Sequence, residues 1–131
     1  MKRFFFISII ILLFSCNNQS KEDKLALRLS QSKSFIELMQ SSLKMADEIK
    51  VAKKDTSLMN KYKDLDSISR RDSLLKHLYH SDVFVNYSLK MAESSKQVNF
   101  EFPELQKLPK DTKSKVWRKA ASIFMANQPI K

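Results

Sequence analysis

The sequence has 131 residues and a formal net charge of +10, with 24 Lys or Arg against 14 Asp or Glu. It contains one cysteine and no glycine, which excludes a disulfide framework, a thiolate metal site and the glycine-dependent Rossmann and phosphate-binding loops. Because hairpin turns usually need glycine for a positive φ, this composition favours helices over a β-rich fold.

The first sixteen residues have the three-part shape of a secretory signal. Lys2 and Arg3 form a basic head, an apolar run covers residues 4–14, and Ser15 then precedes Cys16. The apolar run is shorter than the roughly 20 residues that cross a bilayer as a helix. The pattern therefore predicts an export signal over residues 1–15 and not a membrane span.

The end of this segment, Leu13-Phe14-Ser15-Cys16, resembles the lipobox of bacterial lipoproteins. In that family the cysteine becomes the first residue of the mature protein and carries acyl chains such as palmitate. The resemblance implies a lipid anchor on Cys16 and a location in the cell envelope, with the outer membrane favoured over the inner membrane.

Residues 16–23 are expected to form a flexible polar tether between the lipid and the domain. Within it, Lys21-Glu22-Asp23 resembles the lysine- and acid-rich signals that follow the lipidated cysteine in surface-exported Bacteroidetes lipoproteins. Ser20 and Asp23 are also spaced as a helix-capping pair. The sequence leaves both interpretations open, and with them a periplasmic or a surface-facing domain.

Residues 24–131 are predicted to form one all-α domain, a three- or four-helix antiparallel bundle with a long first helix. Between residues 24 and 54 apolar side chains recur at alternating steps of four and three, which is typical of a helix that packs along its whole length. At 1.5 Å per residue this helix would be about 45 Å long. The positions of this stripe are Leu25, Leu29, Ser32, Ile36, Met39, Leu43 and Ala46, widened by Phe35, Leu38, Met45 and Ile49, and its apolar members are the predicted core residues.

A break is predicted at residues 53–57, where two lysines suit a helix end and Asp, Thr and Ser suit the next N-cap. Residues 57–96 fit one continuous helix or two helices with Ser81-Asp82 as a cap, and the sequence leaves both open. Apolar residues cover about half the circumference of residues 83–96, which predicts the most buried segment of the chain.

Residues 98–109 interrupt the helical pattern, because Pro103 and Pro109 stop a helix. We expect an ordered connection that packs two aromatic side chains onto the bundle, Phe100 and Phe102.

The last helix is predicted over residues 112–127, capped by Asp111 and stopped by Pro129. Residues 107–131 contain seven Lys or Arg and a single acid, so most of the net charge lies at this end of the chain. A basic amphipathic helix with Trp at the edge of its apolar face is typical of contact with an anionic membrane surface or partner. The alternative is a bundle helix with a solvated basic face. The candidate contact residues are Lys115, Trp117, Arg118 and Lys119.

The two histidines, His77 and His80, are three residues apart on a predicted helix, so both imidazoles can face one metal ion with Asp82 as a third ligand. The chain has no further histidine and no suitable cysteine to complete such a site. Exposed histidines at a helix end are the alternative. No nucleophile elbow is possible without glycine, and we expect no cofactor.

A dense charge cluster combines Arg70 and Arg71 with three acids, and we expect surface salt bridges there, formed with Asp64, Asp66 and Asp72. Asp66-Ser67-Ile68 and Asp72-Ser73-Leu74 also resemble the three-residue O-glycosylation motif of Bacteroidetes. An accidental match to so short a motif is the alternative.

The sequence thus indicates a small non-enzymatic envelope lipoprotein whose helical domain docks an anionic or protein partner through its basic C-terminal helix. One alternative is a helical periplasmic chaperone or stress protein that binds unfolded clients on an apolar, methionine-containing face. Another is a metal-binding protein or enzyme that uses His77 and His80. The expected partners are the membrane, through Cys16, and an anionic envelope component or protein, with no specific nucleic acid.

Overall fold

The computed structural model describes residues 20–128, and over this range the chain forms seven helices and no strand. The all-α prediction is confirmed. The predicted signal peptide, Cys16, the start of the tether and Pro129 lie outside the described residues. None of the described helices is both long enough and apolar enough to cross a membrane. The helices are α1 (Lys21–Gln31), α2 (Lys33–Lys54), α3 (Thr56–Lys61), α4 (Ser67–Leu78), α5 (Asp82–Glu101), α6 (Pro103–Gln106) and α7 (Lys110–Ala126).

The prediction of one long first helix is wrong, because Ser32 separates α1 from α2. Ser32 has an extended backbone with ψ of 141°, and its Oγ accepts a hydrogen bond from the backbone N–H of Phe35 at 3.2 Å. The same hydroxyl donates to the carbonyl of Leu29 at 2.9 Å. Serine competes in this way with the helical backbone. The break lets α1 pack mainly against α7, and α2 mainly against α5.

Besides Ser32 at α2, short polar side chains begin four further helices. Ser20 caps α1, Asp55 caps α3, Asp66 caps α4 and Ser81 caps α5, each by accepting a backbone N–H bond. The predicted break at residues 53–57 and the capping role of Ser20 are confirmed. Residues 57–96 are neither one helix nor two, because a further turn at residues 62–66 separates α3 from α4.

The buried side chains form two separate clusters, which we name the first core and the second core. The first core draws on α1, α6, α7, the start of α2 and the end of α5, and it contains Leu25, Ala26, Leu29, Phe35, Val98, Phe102, Leu105, Val116, Ala120 and Phe124. The second core draws on α3, α4, the end of α2 and the start of α5, and it contains Ala52, Leu58, Leu74, Leu78 and Phe84.

The antiparallel pair of α2 and α5 joins the two cores. At the first core, the Ser34 hydroxyl donates to Glu101 Oε2 at 2.6 Å. Between the cores the pair buries two serines, Ser41 and Ser94. Such small side chains allow two helix backbones to approach closely, so the pair is held along its length without a large apolar seam.

The exposed surface corrects three burial predictions. Leu43 and Ala46 lie on α2 and are exposed, Leu43 by 37%, so neither is a core residue. In residues 83–96 only Phe84 and Ser94 are buried, while Leu89 is 59% exposed, so this is not the most buried segment. Its apolar residues are spread around the helix, and only one side of α5 is covered by neighbours.

Of the two aromatic side chains predicted to pack onto the bundle before α7, only one does so. Phe102 is buried in the first core as expected. Phe100 is 80% exposed, because α5 continues as a helix to Glu101 and turns this ring away from the core.

The last helix begins earlier than predicted. Lys110 is its first residue and Pro109 is its N-cap, with no side-chain capping bond. Asp111 is therefore not the cap but lies in the first turn, where a negative charge interacts favourably with the helix dipole. The helix ends at Ala126.

Candidate functional site

The apolar side of α7 packs into the first core, which fixes the direction of its basic side. Val116, Ala120 and Phe124 are buried. With 100° between successive residues, positions 115, 118 and 119 lie on the opposite side of the helix. Lys115, Arg118 and Lys119 are all exposed, and we name these three residues the basic surface.

Trp117 does not belong to the basic surface. Its side chain is half-buried and packs against the first core, with its ring centroid 5.5 Å from that of Phe35 and the two planes tilted by 43°. Three of the four predicted contact residues therefore share one exposed face, and the fourth helps to hold α7 on the bundle.

Lys119 pairs with the first turn of α1. Its Nζ donates a hydrogen bond to Asp23 Oδ1, and Asp23 also forms hydrogen bonds with the capping residue Ser20. The hydrogen bond from Lys119, followed by its positive charge and the bonds with Ser20, lowers the pKa of Asp23. The charge of Lys119 is thus partly balanced. Within residues 20–128, no acid lies within 4.0 Å of the charged nitrogens of Lys115 or Arg118.

A cleft of about 320 Å³ separates the start of α1 from α7. Ser20, Glu22 and Asp23 line one side, and Lys115 and Lys119 are among the residues on the other. Sequence reasoning missed this juxtaposition. It brings the point where the chain enters the domain next to the basic surface.

A larger groove of about 840 Å³ runs along α2 and α5, between the two cores. Its lining carries both signs of charge and few apolar groups, chiefly Leu43 and Tyr87. No methionine lines it, and four of the methionines, Met39, Met45, Met59 and Met91, are half-buried. The groove therefore lacks the methionine-containing apolar face expected of a client-binding chaperone.

The predicted metal candidates are not brought into a ligand set. His77 lies in the last turn of α4, His80 lies in the turn that follows, and both are exposed. Over residues 20–128 there is no group of three or more His, Cys, Asp or Glu side chains with the geometry to hold a metal ion. The placement fits the alternative of solvated histidines near a helix end.

The charge cluster near α4 mainly organises the local backbone. Asp66 Oδ1 accepts backbone N–H bonds from Ile68 and Ser69 at 2.9 and 3.0 Å. Arg70 donates to three backbone carbonyls of the preceding turn at 2.8–3.1 Å, those of Tyr62, Lys63 and Leu65. Sequence reasoning missed this role, because Arg70 satisfies carbonyls and not the neighbouring acids.

The expected surface salt bridges of this cluster are reduced to one, between Arg71 and Asp72 at 3.5 Å, within the described part of the chain. The two glycosylation-like motifs differ in access. Ser67 is exposed at the start of α4, whereas Ser73 is half-buried and precedes the buried Leu74.

Two further carboxylates are stabilised in their charged form. Bonds from the hydroxyl and backbone N–H of Ser69 lower the pKa of Asp66. Hydrogen bonds from the Ser34 hydroxyl and the Gln97 amide lower the pKa of Glu101. With Asp23, they make three acids that the folded chain holds deprotonated more strongly than the unfolded chain does.

These lowered pKa values predict acid sensitivity. A carboxylate with a depressed pKa in the folded state contributes stability above its unfolded pKa, near 3.8 for Asp and 4.5 for Glu. That contribution is lost as the pH falls through the folded pKa. We therefore expect the melting temperature to fall between about pH 5 and about pH 3. Circular dichroism melts of the wild type and of Asp66→Asn measure it. The melting temperature of Asp66→Asn should fall less over this range than that of the wild type. An equal fall in both proteins would contradict the role of Asp66.

The site thus consists of the basic surface, its ion pair with α1 and the cleft beside it. No protein-family model, curated protein or solved structure matches the chain.

Proposed function

We propose that the protein is a non-enzymatic, lipid-anchored protein of the bacterial cell envelope that docks an anionic partner through the basic surface of α7. The observation that supports docking is the orientation of α7, whose apolar residues are used in the first core while Lys115, Arg118 and Lys119 face solvent. The anchor rests on the lipobox-like sequence that ends at Cys16. We favour the outer membrane as its location.

Electrostatic attraction is the expected source of affinity. A Lys or Arg near an anionic surface contributes about 1 kcal/mol, and salt weakens the effect by shortening the Debye length. Lys119 contributes less than this because Asp23 already balances part of its charge. The basic surface should therefore supply about 2 kcal/mol.

Replacing Lys115, Arg118 and Lys119 together with Gln tests the proposal. We expect the dissociation constant for vesicles that contain phosphatidylglycerol, or for lipopolysaccharide, to rise about 30-fold, which corresponds to about 2 kcal/mol. Helix content should not change, because all three side chains are exposed. Vesicle co-sedimentation measures binding, and far-UV circular dichroism measures helix content.

The matched control replaces three exposed lysines near the second core with Gln, namely Lys61, Lys63 and Lys76. It removes the same formal charge from another part of the molecule, and its binding should stay close to that of the wild type. Equal weakening in both variants would show that net charge, and not the basic surface, determines binding. Unchanged binding in the α7 variant would refute the proposal.

Lipidation of Cys16 is tested on the protein isolated from its native envelope. We expect mass spectrometry to show Cys16 as the first residue with attached acyl chains. Each buried CH₂ contributes about 0.8 kcal/mol, so several chains make the anchor nearly irreversible. Cys16→Ala should release the protein from membranes or leave it unprocessed. An intact Met1, or cleavage at another residue, would refute the anchor.

A further inference from the structure

The start of the domain and the basic surface lie side by side. Ser20, the first described residue, lines the same cleft as Lys115 and Lys119. Three residues later, Asp23 forms an ion pair with Lys119. The chain therefore enters the domain beside α7, and this entry point is fixed by a helix cap and an ion pair between residues 96 positions apart.

The chain between the proposed anchor and this entry point is short. Cys16 precedes Ser20 by four residues. A fully extended chain covers at most about 3.6 Å per residue, so the two Cα atoms lie within about 14 Å of each other. If Cys16 holds acyl chains in a bilayer, Ser20 and the cleft beside it stay close to the headgroups of that bilayer.

We propose that the basic surface binds the anionic phospholipid headgroups of the same bilayer that holds Cys16, and so orients the domain with α7 toward the membrane. This inference rests on the proposed lipid anchor and on the proposed docking role. The partner is the surface of the anchoring membrane itself, which the basic surface contacts without diffusing through solution.

Reach is the central requirement of this contact. At physiological ionic strength the Debye length is about 8 Å, so exposed cations interact appreciably with headgroups only at short range. A short tether keeps the basic surface at a high effective concentration near the headgroups. Two further exposed cations lie at the start of α1, Lys21 and Lys24. The acids of this turn are Glu22 and Asp23. Since Asp23 is already paired with Lys119, the two cations exceed the one remaining acid, Glu22.

The second core lies at the far end of the α2–α5 pair. With 22 residues in α2 and a rise of 1.5 Å per residue, the two ends of this helix are about 33 Å apart. This length is several Debye lengths, so the lysines near the second core lie far from the first core, on which α7 and its basic surface pack. Lys63 and Lys76 are exposed near the second core and provide an internal reference.

The test uses the native lipidated protein reconstituted into two kinds of vesicle, phosphatidylcholine alone and phosphatidylcholine with phosphatidylglycerol. An amine-reactive reagent labels exposed lysines, and mass spectrometry gives the rate at each position. We expect Lys115 to react several-fold more slowly in the anionic vesicles, with the difference removed by high salt. Lys63 and Lys76 should react at similar rates in both. Equal rates at Lys115, or equal protection of Lys63 and Lys76, would overturn the inference.

A second variant tests the reach. A long Ser-rich insertion between Cys16 and Ser20 leaves every described helix intact but lowers the local concentration of headgroups. Lys115 should then react faster in the anionic vesicles than it does with the native tether. Unchanged protection with the longer tether would overturn the role assigned to the short chain.

The outcomes separate this inference from the proposed function. If Lys115 is unprotected while the Gln variant of the basic surface still loses binding to soluble lipopolysaccharide, docking stands and the membrane is not its partner. If that Gln variant binds every anionic probe as the wild type does, docking itself fails. An unacylated Cys16 would remove the anchor on which both the reconstitution and the inference depend.

Discussion

Phe35→Ala is expected to lower the free energy of unfolding by about 3–5 kcal/mol, the usual cost of truncating a fully buried phenylalanine. Phe35 has no exposed surface and lies in the first core beside Trp117. Its removal loses apolar burial and leaves a cavity between α2 and α7. Since small domains are stable by only about 5–15 kcal/mol, this is a large share of the total. Urea unfolding, followed by circular dichroism and by the fluorescence of Trp117, measures the loss.

Phe100→Ala is the matched control for Phe35→Ala. It removes the same atoms from a ring that is 80% exposed near the end of α5. Substitutions at such surface positions usually change stability by no more than about 0.5 kcal/mol. Similar losses in the two variants would contradict the assignment of Phe35 to the core and of Phe100 to the surface.

Local signals in the sequence predicted much of the helix pattern. A short polar side chain that can accept the free backbone N–H three residues later strongly favours the start of a helix. This preference located the caps at Ser20 and Ser81 and the break before α3. The absence of glycine excluded most strand-rich alternatives. These features depend on residues close together in the chain, which is why a sequence pattern reveals them.

The break at Ser32 was missed although a local signal existed. Ser32 occupies a position on the apolar stripe, and the regular spacing on either side of it favoured a continuous helix. The structure depends instead on the hydroxyl, which bonds both the carbonyl of Leu29 and the N–H of Phe35. The apolar spacing favoured a continuous helix, whereas the Ser32 hydroxyl favoured a break. The break is stabilised because α1 and α2 pack on different partners.

Burial on the α2–α5 pair could not be predicted from helical periodicity. Serine is usually exposed and leucine is usually buried, yet Ser41 and Ser94 are buried here while Leu43 and Leu89 are not. The close approach of the two backbones selects small side chains at their contact. Periodicity identifies an apolar side of a helix but does not show which side a neighbour will cover.

The basic surface was only partly predictable. Its three cations share a side of α7 through spacing alone, so the sequence identified them together. Two contacts join residues that are far apart in the sequence. They are the ion pair between Asp23 and Lys119 and the cleft that brings Ser20 to Lys115. Only the folded structure shows that the start of α1 and the basic surface meet.

Phe84→Ala is expected to destabilise the second core by about 3–5 kcal/mol. Phe84 is almost fully buried and is the only phenylalanine of this small cluster among residues 20–128. Its ring meets that of Tyr79 edge to face, with centroids 5.3 Å apart. Leu89→Ala on the same helix is the control, because Leu89 is mainly exposed and should change stability little.

Whether destabilising the second core also destabilises the first core depends on how the two cores are coupled. They share the α2–α5 pair, whose middle is packed with Ser41 and Ser94 and not with large apolar groups. Regions with few apolar contacts open separately from a core. Hydrogen exchange of Phe84→Ala should therefore show faster exchange throughout α4, with much smaller changes in α1 and α7. Equal acceleration in all three helices would mean that the α2–α5 pair transmits unfolding between the cores and that the domain is one cooperative unit. Separate opening would instead leave the basic surface of α7 intact when the second core unfolds.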